Sequence, residues 1–145
     1  LMKVPCIVVN EEKAEEIADL AMAKMPVDLF GFYILLEPYI GAYYELEATE
    51  KARNLFMEVS QKYQESLIYY SSLSEYNQSK HIQNIYTDIE RYRGLVDVTA
   101  FYETDAFIKA EMEKFNNYLR LFTGELEEDE EVEEVEIEDE VLDAL

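Results

Sequence analysis

Carboxylates spaced four residues apart are the side chains of this chain that could perform acid–base chemistry or hold a metal ion. Glu11 and Glu15 form one such pair, and Glu12 and Glu16 form a second on the adjacent positions of the same segment. Catalysis needs such groups to converge in a pocket that perturbs their pKa values. On the polar face of a helix they mainly provide solubilising charge, which is the interpretation that we adopt for both pairs.

Cysteine and histidine each occur once in the chain, which limits the other kinds of active site that it could form. Cys6 is the only cysteine, which excludes an internal disulfide and a cysteine-based zinc site. His81 is the only histidine, which excludes the paired Glu-x-x-His ligands of a di-iron bundle. We expect His81 to be exposed in the first turn of a helix, with no Ser or Cys nucleophile evident near it. The sequence therefore predicts no catalytic residue, no cofactor and no metal site.

The composition indicates one domain with a single hydrophobic core. Of 145 residues, 49% are hydrophobic, whereas 4 Gly and 3 Pro are too few for a protein built from many short strands. The net charge of −21 argues against nucleic acid as a partner, because phosphate contacts need a basic face. No apolar run approaches the roughly 18 residues of a membrane span, so we predict no membrane insertion by this segment.

The chain is predicted to consist of an N-terminal extension (residues 1–10), a helical domain (11–124) and an acidic tail (125–145), and charge sets the tail apart from the rest. The tail carries 13 of the 33 acidic residues and no basic one, which leaves 20 acids, 12 bases and a net charge of −8 elsewhere. We interpret the tail as a solvated extension, and binding of a basic partner is the alternative. Because the chain begins with Leu1 rather than Met, we expect it to be part of a longer protein.

Apolar residues at helical spacing predict that the domain is all-α, with short connections that favour antiparallel hairpins. Asn10 and Thr49 are predicted helix caps, Gly94 lies near a predicted helix end, and Gly124 is a predicted C-cap. Five helices are expected at about residues 11–25, 38–46, 49–68, 79–93 and 104–122, with a connector at 69–78. The residues predicted to face inward are Ala14, Ile17, Ala18, Ala21, Met25, Ala52, Leu55, Phe56, Val59, Tyr63, Ile82, Ile85, Ile89, Tyr92, Ile108, Met112, Phe115, Leu119 and Phe122.

Residues 11–67 resemble tetratricopeptide repeats, in which small and aromatic side chains let two helices pack closely. The positions of the repeat pattern are occupied by Leu36, Tyr39, Ile40 and Tyr43 in the first helix and by Ala52 and Phe56 in the second. The family commonly has Gly where this chain has Ile40 and Glu47, and it has Pro where this chain has Gln64. The resemblance implies a short array of antiparallel helical hairpins with one or two extra C-terminal helices, and a generic helical bundle is the alternative.

A narrower resemblance is based on the amino-acid sequence of several stretches, including Leu36-Glu37-Pro38-Tyr39-Ile40-Gly41-Ala42-Tyr43-Tyr44 and Tyr69-Tyr70-Ser71-Ser72-Leu73. They look like the C-terminal soluble segment of large multi-pass membrane proteins of Bacteroidetes, whose membrane part is similar to protein O-mannosyltransferases. This resemblance implies that the chain is the appendage of a membrane glycosyltransferase-like protein, with the periplasmic face as a candidate location. No catalytic motif of the membrane half is present, so its activity does not transfer to these residues.

In tetratricopeptide hairpins the first helix lines the concave surface to which partner peptides bind. The resemblance therefore implies a partner-binding face at Ile34, Glu37, Gly41, Tyr44 and Glu45. Gly41 would permit close backbone approach, Tyr44 would supply an amphipathic contact, and the glutamates would meet a basic group. The alternative is that Tyr44 packs on the next hairpin and the glutamates are only solvated.

These observations favour a non-catalytic protein–protein interaction or scaffold domain that binds a protein or peptide segment. A structural or homo-oligomerisation module with no separate ligand is the alternative. The two hypotheses differ in whether the face of the first repeat helix contacts another protein or only the same chain.

Overall fold

The computed structural model describes residues 10–29 and 31–123, and every regular element in these two ranges is helical. The helices are α1 (Glu11–Lys24), α2 (Glu37–Glu45), α3 (Thr49–Ser71), α4 (Glu75–Lys80), α5 (Ile82–Ala100) and α6 (Asp105–Thr123), and a 3₁₀ helix (Phe32–Leu35) precedes α2. The predicted all-α class is therefore confirmed. The expectations for residues 1–9, for Gly124 and for the acidic tail lie outside the described residues.

Local side-chain and backbone chemistry explains where several helices begin and end. The side-chain oxygen of Asn10 accepts a hydrogen bond from the backbone N–H of Lys13 at 3.1 Å, so the predicted cap of α1 is confirmed. Gly31 has a φ of 80°, a left-handed conformation that favours glycine, and it turns the chain into the 3₁₀ helix. Glu47 has a φ of 60° in the short connection between α2 and α3, at the position where tetratricopeptide repeats commonly have Gly.

The central helix of the domain is α3, which packs against α2, α5 and α6. α5 also contacts α2 and α6, while α1 packs on α2 at one edge and α4 packs on α5. The large apolar and aromatic side chains that are almost completely buried are Leu36, Ile40, Phe56, Val59, Leu67, Tyr92 and Leu95. The predicted inward face of α3 is confirmed, because Ala52, Leu55, Phe56, Val59 and Tyr63 are all buried.

α5 does not end near Gly94 as the sequence predicted, but continues to Ala100. A glycine in a helix interior costs about 1 kcal/mol relative to alanine. The next turn buries Leu95 and Val96, and the burial of these apolar side chains offsets that cost. The glycine is therefore tolerated inside the helix.

The expected connector at residues 69–78 is mostly helical in the structure. α3 extends to Ser71, and Ser74 caps α4 by accepting the backbone N–H of Asn77 at 3.3 Å. Thr49 is the first residue of α3 rather than its cap, a position that Ala48 takes. These differences concern helix ends and leave the order of the long helices unchanged.

Three residues expected to face inward are exposed over about half or more of their surface. The exposed fractions are 61% for Ile17, 55% for Ile82 and 48% for Met112. Helical spacing places each of them at the margin of its apolar stripe, so that burial depends on whether a neighbouring helix covers that margin. The periodicity identifies the inner face correctly, but it does not determine how much of the flank is covered.

Candidate functional site

Four of the five residues predicted to form a binding face lie on α2, and the fifth lies in the 3₁₀ helix before it. Glu37, Gly41 and Glu45 follow one another at intervals of one helical turn. Glu45 is exposed, Ile34 is 36% exposed, and the other two are half-buried. Tyr44 is only 7% exposed, so it belongs to the core rather than to the open surface.

The turn between α5 and α6 covers Tyr44. The Tyr44 ring stacks on the Tyr102 ring at a centroid distance of 5.0 Å and an interplanar angle of 1°. Its hydroxyl donates to Oε1 of Glu103 at 2.8 Å. Burial, reinforced by this carboxylate, raises the pKa of Tyr44 well above its ordinary value of 10. Tyr44 therefore joins α2 to the next hairpin, which is the alternative considered for it from the sequence.

Glu103 also ties the α5–α6 turn to α3. Nε and Nη2 of Arg53 donate to its two oxygens at 2.9 and 2.8 Å, and the guanidinium lies 4.9 Å from the centre of the Phe107 ring. Arg53 holds the pKa of the Glu103 carboxyl below its usual range. The hydroxyl of Tyr102 donates to Glu45 at 2.7 Å, so Glu45 already has a partner within the domain.

Glu37 and Gly41 are the open part of the predicted face. Glu37 has no ion-pair partner among the described residues. A Cβ atom added at Gly41 would meet no atom within 4 Å, and the same is true of Gly94 on the neighbouring α5. Glycine in a helix interior is destabilising by roughly 0.5–1 kcal/mol relative to alanine. Packing within the described part of the domain therefore explains neither glycine.

A cavity that the sequence did not predict lies between α1 and α3, with a volume of about 400 Å³. A second cavity of about 280 Å³ shares Val27, Asp28 and Glu58 with it and continues to Lys62. Together they form a groove along one side of α3, which we call the α1–α3 trough. Its walls come from segments distant in sequence, and its only sequence signal is the spacing of Lys51, Leu55, Glu58 and Lys62 on one face of a helix.

Ion pairs close one end of the trough. Nζ of Lys51 lies 2.6 Å from Oε1 of Glu15 and 2.8 Å from Oδ2 of Asp19, and the Tyr43 hydroxyl donates to Asp19 at 2.8 Å. The hydrogen bond from Lys51 lowers the pKa of Asp19. Burial, followed by the hydrogen bond to Asp19, raises the pKa of Tyr43 to about 12. This network fixes α1 against α2 and α3.

A second set of ion pairs lies at the other end of the trough. Nζ of Lys62 lies 3.0 Å from Oδ1 of Asp28 and 3.7 Å from Oε2 of Glu65. Between the two ends, Glu58 is exposed and forms no ion pair with any residue that the structure describes. The middle of the trough therefore carries a carboxylate whose charge is not balanced locally.

The residues considered for catalysis do not converge in one pocket. Glu11 and Glu12 are exposed, and Glu15 forms an ion pair with Lys51. His81 is exposed at the start of α5, with its ring 5.9 Å from that of Tyr70. Within residues 10–29 and 31–123, no three His, Cys, Asp or Glu side chains could hold a metal ion together. No helix in the same ranges is both long and apolar enough to cross a membrane.

The buried carboxylate of Glu111 on α6 was not foreseen. The residue is 3% exposed, and its Oε1 accepts from Nζ of Lys114 at 2.9 Å, whereas Oε2 has no hydrogen-bond partner in the described part of the chain. Nearby, the buried Tyr92 hydroxyl accepts from Gln64 at 2.8 Å. Burial raises the pKa of Tyr92 to about 12, and the Glu111 charge contributes to the rise. The sequence signal for Glu111 is its position one turn before Phe115.

No family model matches the chain, and no match occurs among the curated proteins or among the solved structures.

Proposed function

We propose that this domain is a non-catalytic protein–protein interaction or scaffold domain that presents the open part of α2 to a segment of another protein. The observation that carries the proposal is Gly41, a destabilising residue inside a nine-residue helix with empty space beyond its Cα. A partner that approaches the α2 backbone closely would account for a glycine there. Glu37, one turn earlier, would meet a basic group of that partner.

The surroundings of α2 support this proposal because they hold the face in one geometry. Tyr44 and Glu103 connect α2 to the α5–α6 turn, and Arg53 connects the same turn to α3. A face that is already ordered loses less conformational entropy when a partner binds. The mechanism that we propose is therefore presentation of a rigid helical surface, without chemistry at the site.

The array itself is proposed to be tetratricopeptide-like. This proposal is supported by the burial of four residues that match the repeat pattern, namely Leu36, Tyr43, Ala52 and Phe56. It is also supported by the packing order, in which α2 packs on α3, and α5 and α6 pack on α3 and on each other. The concave surface of such an array would include α2 and α5, the two helices that carry Gly41 and Gly94.

A photo-crosslinking experiment in the source cells tests the binding face. Benzoylphenylalanine is placed at Ile34, an exposed apolar residue of the predicted face that leaves Gly41 unchanged, and at Glu113, an exposed residue of α6, as the control. The proposal predicts a distinct protein adduct from position 34 that position 113 does not give. Identical adducts from both positions, or none from position 34, would contradict it.

A structural or homo-oligomerisation module is the second candidate function, and the exposure of Phe101 favours it. This side chain is 84% exposed beside the α5–α6 turn, and an exposed aromatic ring can anchor a contact between copies. In the crosslinking experiment this candidate predicts an adduct at twice the mass of the protein, with only its own peptides in the mass spectrum.

We also propose that the domain is the C-terminal soluble part of a larger membrane protein of the glycosyltransferase-like group that it resembles. The support is the resemblance of residues 36–44 and 69–73. An immunoblot of fractionated source cells with an antibody to this domain tests it. A band much heavier than 17.0 kDa in the membrane fraction is expected, and a band of that mass in the supernatant alone would refute the proposal.

A further inference from the structure

The α1–α3 trough has the dimensions of a site for a short peptide segment. Lys51 and Lys62 mark its ends, and they are separated by 11 residues of α3, which corresponds to roughly 16 Å at the rise of an α-helix. An extended segment of five residues spans about the same distance. The cavity volume of about 400 Å³ lies within the usual range for binding pockets.

The lining of the trough combines an apolar floor with polar groups at the rim. Met25, Val27 and Leu55 provide the apolar part, and Asn54 and Glu58 lie beside them on successive turns of α3. Methionine side chains are flexible and adapt to different apolar partners. The floor therefore suits an aliphatic side chain, while the rim can accept hydrogen bonds from a charged donor.

The charge of the trough selects the sign of the group that would bind. Asp19, Asp28 and Glu58 line the trough together with Lys51 and Lys62, which gives a net charge of −1. Glu15 and Glu65 pair with the two lysines from outside the lining and bring the net charge of the group to −3. Each lysine already lies within 4 Å of two carboxylates, whereas Glu58 has no cationic partner among the described residues. A Lys or Arg side chain would balance Glu58 without displacing either lysine.

We propose that the α1–α3 trough binds a short basic and apolar segment of another polypeptide, whose Lys or Arg side chain pairs with Glu58 while a neighbouring aliphatic side chain contacts Met25 and Leu55. This surface is distinct from the open part of α2, because α2 contributes only Tyr43 to its lining and neither Glu37 nor Gly41 lines it. The two sites can be tested separately.

Titration of the ¹⁵N-labelled 145-residue chain with a defined peptide tests the proposal. The probe is the end-blocked peptide Leu-Arg-Leu-Lys-Leu, and the counter-probes are Leu-Glu-Leu-Glu-Leu and Ser-Arg-Ser-Lys-Ser. We expect amide shift changes at Met25, Val27, Asn54, Leu55 and Glu58 with the first peptide only. Changes spread over α4–α6, or equal binding of the serine peptide, would overturn the proposal.

Two variants separate site binding from general attraction to an acidic protein. Glu58→Gln removes the unbalanced carboxylate. It is expected to raise the dissociation constant of the peptide roughly three- to fivefold, as loss of one solvent-accessible ion pair would. Glu50→Gln, an exposed acid in the first turn of α3 that does not line the trough, is expected to leave it unchanged. Equal weakening by both variants would show that net charge alone attracts the peptide.

Discussion

Replacement of Gly41 by alanine is predicted to stabilise the domain. The residue lies in the middle of α2, its backbone is helical, and a methyl group at its Cα would meet no atom within 4 Å. The variant therefore gains the helix propensity of alanine, about 0.8–1 kcal/mol, without a clash and without new packing. Part of this gain arises from the smaller conformational freedom of the unfolded chain.

The predicted gain is large enough to measure by urea denaturation followed by circular dichroism at 222 nm. For a domain of this size it corresponds to a rise in melting temperature of about 4 °C. Gly94→Ala in α5 is the matched comparison, because that glycine is also helical and has equally open surroundings. If the two sites are independent, the double variant is expected to gain about 2 kcal/mol.

A Gly41→Ala protein that is no more stable than the parent, or less stable, would refute this reasoning, since it would mean that the backbone at this position is packed. The functional proposal adds a second expectation. If a partner approaches the α2 backbone, the same methyl group weakens partner binding even though it stabilises the fold. If Gly41→Ala increases the stability of the domain but leaves partner binding unchanged, the partner binds elsewhere on the surface.

Two further predictions concern buried carboxylates. Because Arg53 lowers the pKa of Glu103 in the folded state below its ordinary value of 4.5, the stabilisation from this carboxylate is complete above that pH and is lost as the pH falls through the folded value. Urea unfolding between pH 7 and 3 should therefore show a smaller loss of stability in Glu103→Gln than in the parent, and parallel curves would contradict this. Glu111→Met is predicted to stabilise the domain by about 1–3 kcal/mol at pH 7, because it removes a buried oxygen without a described partner. A less stable Glu111→Met protein in the same assay would mean that this oxygen is hydrogen-bonded in solution.

The residues that the sequence predicted best are those whose role depends on a few neighbours in the chain. Asn10 caps α1 through a contact three residues away, and Ala52 and Phe56 are buried because they lie on one stripe of a long amphipathic helix. The end of α5 was wrongly predicted near Gly94, because the helix-breaking tendency of this glycine is outweighed by the burial of the residues that follow it. Local rules cannot weigh these two contributions against each other.

The candidate site was less predictable because it depends on contacts between distant segments. Tyr44 lies on the helix face that was expected, but its exposure is decided by Tyr102 and Glu103, nearly sixty residues later in the chain. The α1–α3 trough likewise requires knowledge of how far α1 lies from α3. Helical spacing shows which residues share a face, but it does not show which tertiary neighbour covers that face.

The attachment of α1 makes this helix sensitive to local unfolding. It packs on α2 and is joined to α3 by the ion pairs of Lys51, whose side chain is 47% exposed. Exposed ion pairs contribute little free energy and are screened by salt, so α1 should open more readily than the central α3. Each opening removes one wall of the trough, and a segment bound there would slow the hydrogen exchange of the α1 amides. Occupancy of the trough and the closed population of α1 are thus linked by mass action.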